Sequence, residues 1–145
     1  MSNLKVLLPI DSSEFSKAIA DEVLHLYSPK THNLTFIRVA TDYKDTLDVE
    51  RLEKSLTKEL NIVADYFQEK GYQVDTAVRF GKVVSEIVRF AEGENIDLIA
   101  MTTHGRSGLD RLRNGSVAGE VLRSTYIPVT MVRPVARLSK GVVTY

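Results

Sequence analysis

Lys5-Val6-Leu7-Leu8-Pro9-Ile10-Asp11 is a short apolar run closed by an acid, and its reading decides the fold. Branched side chains without polar alternation suit a strand buried on both faces, as in a parallel sheet covered by helices on either side. Pro9 has no amide to give to a ladder, so it belongs at the strand's end rather than in its middle. Directly afterwards Asp11-Ser12-Ser13-Glu14 opens a helix. Phe15, Ile19, Val23 and Leu26 recur along it at helical spacing with Ala18 beside them, and Pro29 closes the segment.

Outward from this unit the same alternation repeats. Residues 34–40 read as a second strand, with Phe36, Ile37 and Val39 as its apolar weight, and residues 41–47 as a polar connection. Leu52, Leu56, Leu60, Val63 and Phe67 then form one stripe of a long helix that Gly71 ends. Residues 74–80 make a third strand, alternating in part and so nearer an edge. Gly81-Lys82 turns into a helix carrying Val84, Ile87, Val88 and Ala91 on one side. After a turn over 93–97 come a fourth strand, Leu98-Ile99-Ala100-Met101-Thr102-Thr103, and a short helix with Val117, Ala118, Val121 and Leu122. A fifth strand spans 127–132, and residues 134–145 are a tail that no pattern fixes. Strand and helix alternate throughout, which requires crossover connections. The fold class is α/β: a doubly wound, Rossmann-like five-stranded parallel sheet with helices on both faces, residues 1–145 forming one domain.

Composition narrows the function. Apolar residues make up 43% of the 145 and charged residues 26%, ordinary globular values. Nineteen basic residues balance nineteen acidic ones, so no global positive field would hold nucleic acid or an anionic membrane. The absence of cysteine excludes a disulfide scaffold, a thiolate zinc site and cysteine catalysis, and fits a cytoplasmic protein. No apolar run approaches the roughly 20 residues that span a bilayer, and Met1-Ser2-Asn3-Leu4-Lys5 leads straight into the first strand without the pattern of a cleavable signal.

In an open parallel sheet, ligands sit beyond the carboxyl ends of the strands where strand order reverses. The segments to question are residues 9–13, 39–41, 80–82 and 102–116. The last is the richest: Gly105, Gly108 and Gly115-Ser116 lead from a strand into a helix, with Arg106, Arg111 and Arg113 nearby. Glycines let backbone approach a ligand, and free amides at a helix start favour anions, so this stretch is a candidate phosphate cradle. The alternative is a long surface loop with solvated arginines. A Walker loop is excluded because Gly115-Ser116-Val117 lacks its lysine, and a dinucleotide fingerprint because Asp11-Ser12-Ser13 follows the first strand.

His104 adjoins this stretch, yet no acid or nucleophile at a recognisable spacing makes it catalytic, and His25 and His32 do not suggest a zinc site. A phosphate-accepting receiver domain would need a second acid beside Asp11, where Ser12 stands, and another acid at residues 80–82. No placed base or water-orienting residue argues for an enzyme.

Thr103-His104-Gly105-Arg106-Ser107-Gly108-Leu109, Gly115-Ser116-Val117-Ala118, Val121-Leu122-Arg123 and Ile127-Pro128-Val129 together resemble the universal stress protein family, as do residues 6–13 and 97–101. The resemblance runs from Lys5 to Arg133. It implies a five-stranded nucleotide-binding sandwich and, for the ATP-binding branch, a glycine, two residues, a second glycine, nine residues, then glycine and a hydroxyl residue. On this chain the second glycine is Gly105, and Arg106 through Asn114 supply the nine residues before Gly115-Ser116. Thr102 stands where the first glycine is expected, Arg113-Asn114 where leucines are common, and Gly81-Lys82-Val83 lacks a frequent proline. The resemblance places Pro9, Ile10 and Asp11 against the adenosine, with Asp11 accepting from the ribose. Val39 would touch the adenine, and Met101 and Thr102 would line the pocket floor. Gly105, Arg106 and Gly108 would approach the phosphates, and Gly115, Ser116 and Val117 would close from the helix start. Asp11 with Glu14 also reads as a helix cap, a role compatible with the first. A Mg or Mn ion riding with the phosphates would be held by nucleotide and water, and at most slow ATP hydrolysis is expected.

Val129, Thr130, Met131 and Val132 form a segment able to act as an edge strand, and such an edge invites pairing with its own copy across a two-fold axis. The resemblance likewise implies a homodimer through the fifth strand. Two functions stand at this point: an ATP-dependent dimeric switch in stress response, and a stress-family dimer that binds no nucleotide and serves an unidentified protein partner.

Overall fold

The computed structural model describes residues 2–10, 17–102 and 117–132. They form a five-stranded parallel sheet of order β3-β2-β1-β4-β5, with β1 at Leu4–Pro9, β2 at His32–Ala40, β3 at Val74–Phe80, β4 at Leu98–Thr102 and β5 at Val129–Val132. Helices α1 (Lys17–Leu26), α2 (Thr46–Glu69), α3 (Val83–Gly93) and α4 (Val117–Ser124) alternate with the strands. The doubly wound reading is thereby met, including the edge position of β3.

The pleat sorts the core into two layers. On one face Val6, Leu8, Leu34, Phe36 and Ala100 pack with Ala20, Val23 and Tyr27 of the α1 region and with Leu60 and Phe67 of α2. On the other, Leu7, Ile37, Ala77, Ile99 and Met101 pack with Ile87 and Ala91 of α3 and Ala118 and Val121 of α4. Adjacent residues such as Val6 and Leu7 thus enter opposite layers, which is why β1 reads as an unbroken apolar run. Its residues 6–8 are all essentially inaccessible to solvent.

The ends of α2 show how local sequence sets an element. Asp45 caps it, accepting from the Asp48 amide at 2.9 Å, while the Asp48 carboxylate accepts from the Lys44 amide at 3.0 Å. At the other end Gly71 lies at φ +98°, its amide donating to the Gln68 carbonyl at 3.0 Å, and the Tyr72 amide donates to that of Phe67 at 3.2 Å. The Tyr72 and Phe67 rings meet edge to face at 5.6 Å across this Schellman turn.

Several boundaries and faces differ from expectation. The α2 helix begins at Thr46, inside the stretch read as a polar connection, because the Asp45–Asp48 cap starts it. The fifth strand starts at Val129 rather than Ile127: the Ile127 amide is taken by the Thr125 hydroxyl at 3.2 Å, and Pro128 has no amide to offer. Leu26 is 47% exposed at the end of α1, and Val117 and Leu122 are 40% and 57% exposed, because α4 buries Ala118, Gly119 and Val121 instead. The opening of the first helix at residues 11–14, Thr103 and the tail lie outside the described residues.

Candidate functional site

The strand order reverses between β1 and β4: the chain leaves β1 for β2 and β3 on one side, then crosses back to β4 and β5 on the other. A crevice is expected there at the carboxyl ends, and Pro9 gives it a local cause. The β1–β4 register runs only through Val6↔Leu98 and Leu7↔Ile99, although β1 continues to Pro9 and β4 to Thr102. In β1 the even residues bond to β2, as the Ile10 amide does to the Ile37 carbonyl at 3.0 Å, so the odd residues face β4. The next amide due to β4 is that of Pro9, which has none. Pairing stops and the two strands are free to part.

The residues around this end of the ladder are apolar where they are described. Pro9 is half-buried and, with Leu7, belongs to the face that α3 and α4 cover. Val39, in the last turn of the β2 ladder, is half-buried against the same layer, and Met101 is buried within it. These three expected site residues therefore share one face at one end of the sheet. Ile10 is half-buried against the opposite layer, beside α1 and α2. Val117 is the first residue of α4, whose amino end must lie at the carboxyl side of β4 because it returns the chain to a parallel β5.

Thr102, the substitute for a glycine, lies in regular strand structure in register with Val132 of β5. Among the described residues, only Gly71, Gly81 and Asn95 adopt positive φ. The backbone at 102 therefore makes no demand that only glycine could meet. Asp11, Gly105, Arg106, Gly108, Gly115 and Ser116 lie outside the described residues.

Two features near the strand ends carried no assigned role in the sequence reading, although residues 80–82 were among the segments in question. Gly81 lies at φ +143° and its amide donates to the Ala40 carbonyl at 3.1 Å, tying the ends of β3 and β2 together. A Cβ on it would come within 3.3 Å of Glu86, whose carboxylate pairs with Arg89 at 3.2 Å. Tyr43 meets Phe80 edge to face at 5.6 Å and props the β2–α2 connection against the end of β3. A glycine beside a strand end was the signal for the first; for the second, Phe80 lay at a questioned strand end and Tyr43 had no signal.

The Universal stress protein family's sequence profile matches residues 3–133. The chain belongs to the universal stress protein family. This universal stress protein is similar to MJ0531 of Methanocaldococcus jannaschii, also a universal stress protein, with 28% identity over 138 residues that cover 89% of this chain and 81% of that one. Among solved structures it is similar to the hypothetical protein PH0823, at 27% identity and TM-score 0.65 over 90% of this chain and 96% of the other. A universal stress protein in complex with cAMP shares the fold at TM-score 0.70 and 17% identity, covering 93% of this chain and 100% of its own. An Arabidopsis thaliana family member with AMP bound does so at TM-score 0.66 and 14% identity, covering 95% and 96%. No helix among the described residues of the stress protein is long and apolar enough to cross a membrane.

Proposed function

We propose that this universal stress protein binds ATP in the crevice between β1 and β4 and acts in the cytoplasm as a nucleotide-dependent dimeric switch. The observation that carries the reading is the β1–β4 ladder ending at Leu7↔Ile99, short of Pro9, which leaves room for a slot beside the apolar side chains of Pro9, Val39 and Met101. Such a slot suits the flat face of a purine. Solved relatives bound to AMP and cAMP support an adenine ligand. The backbone at Thr102 keeps regular strand conformation, so the missing glycine is no conformational obstacle. Asp11 would accept from the ribose, Gly105, Arg106 and Gly108 would approach the phosphates, and the amino end of α4 at Gly115, Ser116 and Val117 would favour their charge. A divalent ion would be carried by the phosphates and water, and no residue is assigned to hydrolysis.

The dimer is proposed through β5. The Ile99 amide bonds to the Pro128 carbonyl at 2.9 Å, so the even residues of β5 serve β4. The backbone groups of Val129 and Met131 then face outward, with no strand beside them among the described residues, where a second copy would pair. β4 lines the crevice and pairs with β5 at Met101↔Met131 and Thr102↔Val132, leaving one strand spacing, about 4.8 Å, between ligand and dimer edge. Coupling through that strand makes the switch reciprocal: if nucleotide tightens the dimer, dimerisation tightens nucleotide by the same factor.

The test is to denature freshly purified protein, identify released nucleotide by mass spectrometry, and titrate ATP into stripped protein by calorimetry. Wild type should bind ATP and Gly115→Val should not, while both keep the same circular dichroism spectrum. Equal affinity of the two would remove the glycine cradle. No binding by wild type would leave the protein-interaction reading in its place.

A further inference from the structure

We infer that Arg79 closes the β3 edge of the sheet to strand addition, leaving β5 as the edge through which copies can pair. β3 ends the sheet on the side away from β5. Its odd residues serve β2, since the Leu34 amide donates to the Gln73 carbonyl at 2.9 Å and the Gly81 amide to Ala40 at 3.1 Å. By the alternation of a parallel ladder, the amides and carbonyls of Val74, Thr76, Val78 and Phe80 point outward. Seven residues of strand with this outer row would be a template for another chain.

One group of that outer row, the Val78 carbonyl in its carboxyl half, is engaged by the strand's own side chain. Arg79 Nη1 donates to the Val78 carbonyl at 2.9 Å, and the guanidinium carbon stands 5.1 Å from the centre of the Phe90 ring on α3. The side chain projects from the α3 face and bends round to the rim, held there by a hydrogen bond on one side and an aromatic face on the other. An incoming strand that used the carboxyl half of β3 would have to strip the guanidinium from Val78 and bury or expel a permanent charge, which strand pairing does not repay. Asp75, exposed four residues earlier on the same face, adds a second charge to the rim.

The consequence reaches beyond one chain. A two-fold β5 interface uses one edge of each copy, and a second open edge would link such pairs into an unbounded series. This last step rests on the β5 reading; the closure of β3 does not.

Sedimentation velocity over a range of concentrations tests it on wild type, Arg79→Ala and Phe90→Leu, with circular dichroism as the check on folding. Arg79→Ala should at least double the mean mass relative to wild type and grow further with concentration. Phe90→Leu, which keeps the arginine but removes its ring, should give a smaller increase. An Arg79→Ala protein with a native spectrum and the wild-type mass at every concentration overturns the inference. If Arg79→Ala does not fold, Phe90→Leu decides by the same criterion. Wild-type size is read separately: a monomeric wild type with a self-associating Arg79→Ala variant would sink β5 pairing and keep the closed β3 edge.

Discussion

Two buried tyrosines that touch each other do opposite things with their hydroxyls. The Tyr72 hydroxyl donates to the backbone carbonyl of Tyr27. The Tyr27 hydroxyl is itself buried without a hydrogen bond of proper geometry, the Thr130 side chain being the polar group that acts on it. Burial raises both phenols above the ordinary 10.0, and Thr130 pulls Tyr27 back only in part. Tyr72→Phe should therefore cost about 1–3 kcal/mol, since it strands a buried carbonyl, whereas Tyr27→Phe should change stability by less than about 1 kcal/mol. Urea unfolding at neutral pH distinguishes them, and a large loss in Tyr27→Phe would mean that its hydroxyl is bonded after all. The pH dependence follows from the same burial. Above pH 10.0 the unfolded chain loses these protons first while the native protein keeps them, so stability falls as pH rises through the raised values and is intact below 10.0. The alkaline fall in melting temperature should be shallower in Tyr27→Phe. None of this was legible beforehand, because a tyrosine between Leu26 and Ser28 does not disclose whether its oxygen ends in water or in the core.

Whole elements were far more legible than single contacts, and their ends less so than their middles. The stripe Leu56, Leu60 and Phe67 is buried as its spacing requires, and the run at residues 6–8 is inaccessible on both faces. Periodicity works there because it is the geometric condition for burial itself. The α4 helix misled: only eight residues long, it buries Ala118 and Val121 and turns Leu122 outward, and two helical turns are too few for a stripe to define its centre. Of the candidate site, topology marked residues 9–13 and 39–41 as strand ends, and the family resemblance named Pro9, Val39 and Met101, which the structure brings to one face of the sheet. That the β1–β4 ladder stops where Pro9 has no amide to give needed the register, which no single strand's sequence carries. Gly71 is the element boundary that both readings share, and it yields a clean prediction. A Cβ there would meet nothing nearer than Pro29 at 3.8 Å, so the cost of Gly71→Ala is conformational rather than steric. It should destabilise the protein by about 1 kcal/mol through the positive φ of the Schellman turn. Gly71→Asn should recover part of that. Denaturation midpoints of the three proteins check it, and equal midpoints would mean that the end of α2 is not held in the left-handed conformation.

At the scale of the molecule, the two sheet edges differ among the described residues, and a proline can probe the β5 edge without touching the core ladder. In β5 the amide of Met131 points away from β4 while that of Thr130 points toward it. Met131→Pro removes one outward donor and places ring carbons where a second strand would lie, yet spares every hydrogen bond to β4. Its cost inside the chain is the half-buried methionine side chain packed on the α3–α4 layer, and Met131→Leu, which keeps an apolar group there, measures that cost alone. Thr130→Pro is the inverse control, since it cuts the β4–β5 ladder itself and should unfold more easily than either. The expected order is a dimer for wild type and Met131→Leu and a folded monomer for Met131→Pro, read by sedimentation together with circular dichroism. If Met131→Pro still sediments as the wild type does, β5 is not the surface that joins two copies. The exposed Leu122 and the fully exposed Tyr126, on the helix and turn leading into β5, would then be the apolar groups to mutate next. A monomer from Met131→Pro also permits the coupling to be measured directly. The lone chain should bind ATP more weakly than the dimer by the same factor with which ATP tightens the wild-type dimer, because both changes close one thermodynamic cycle.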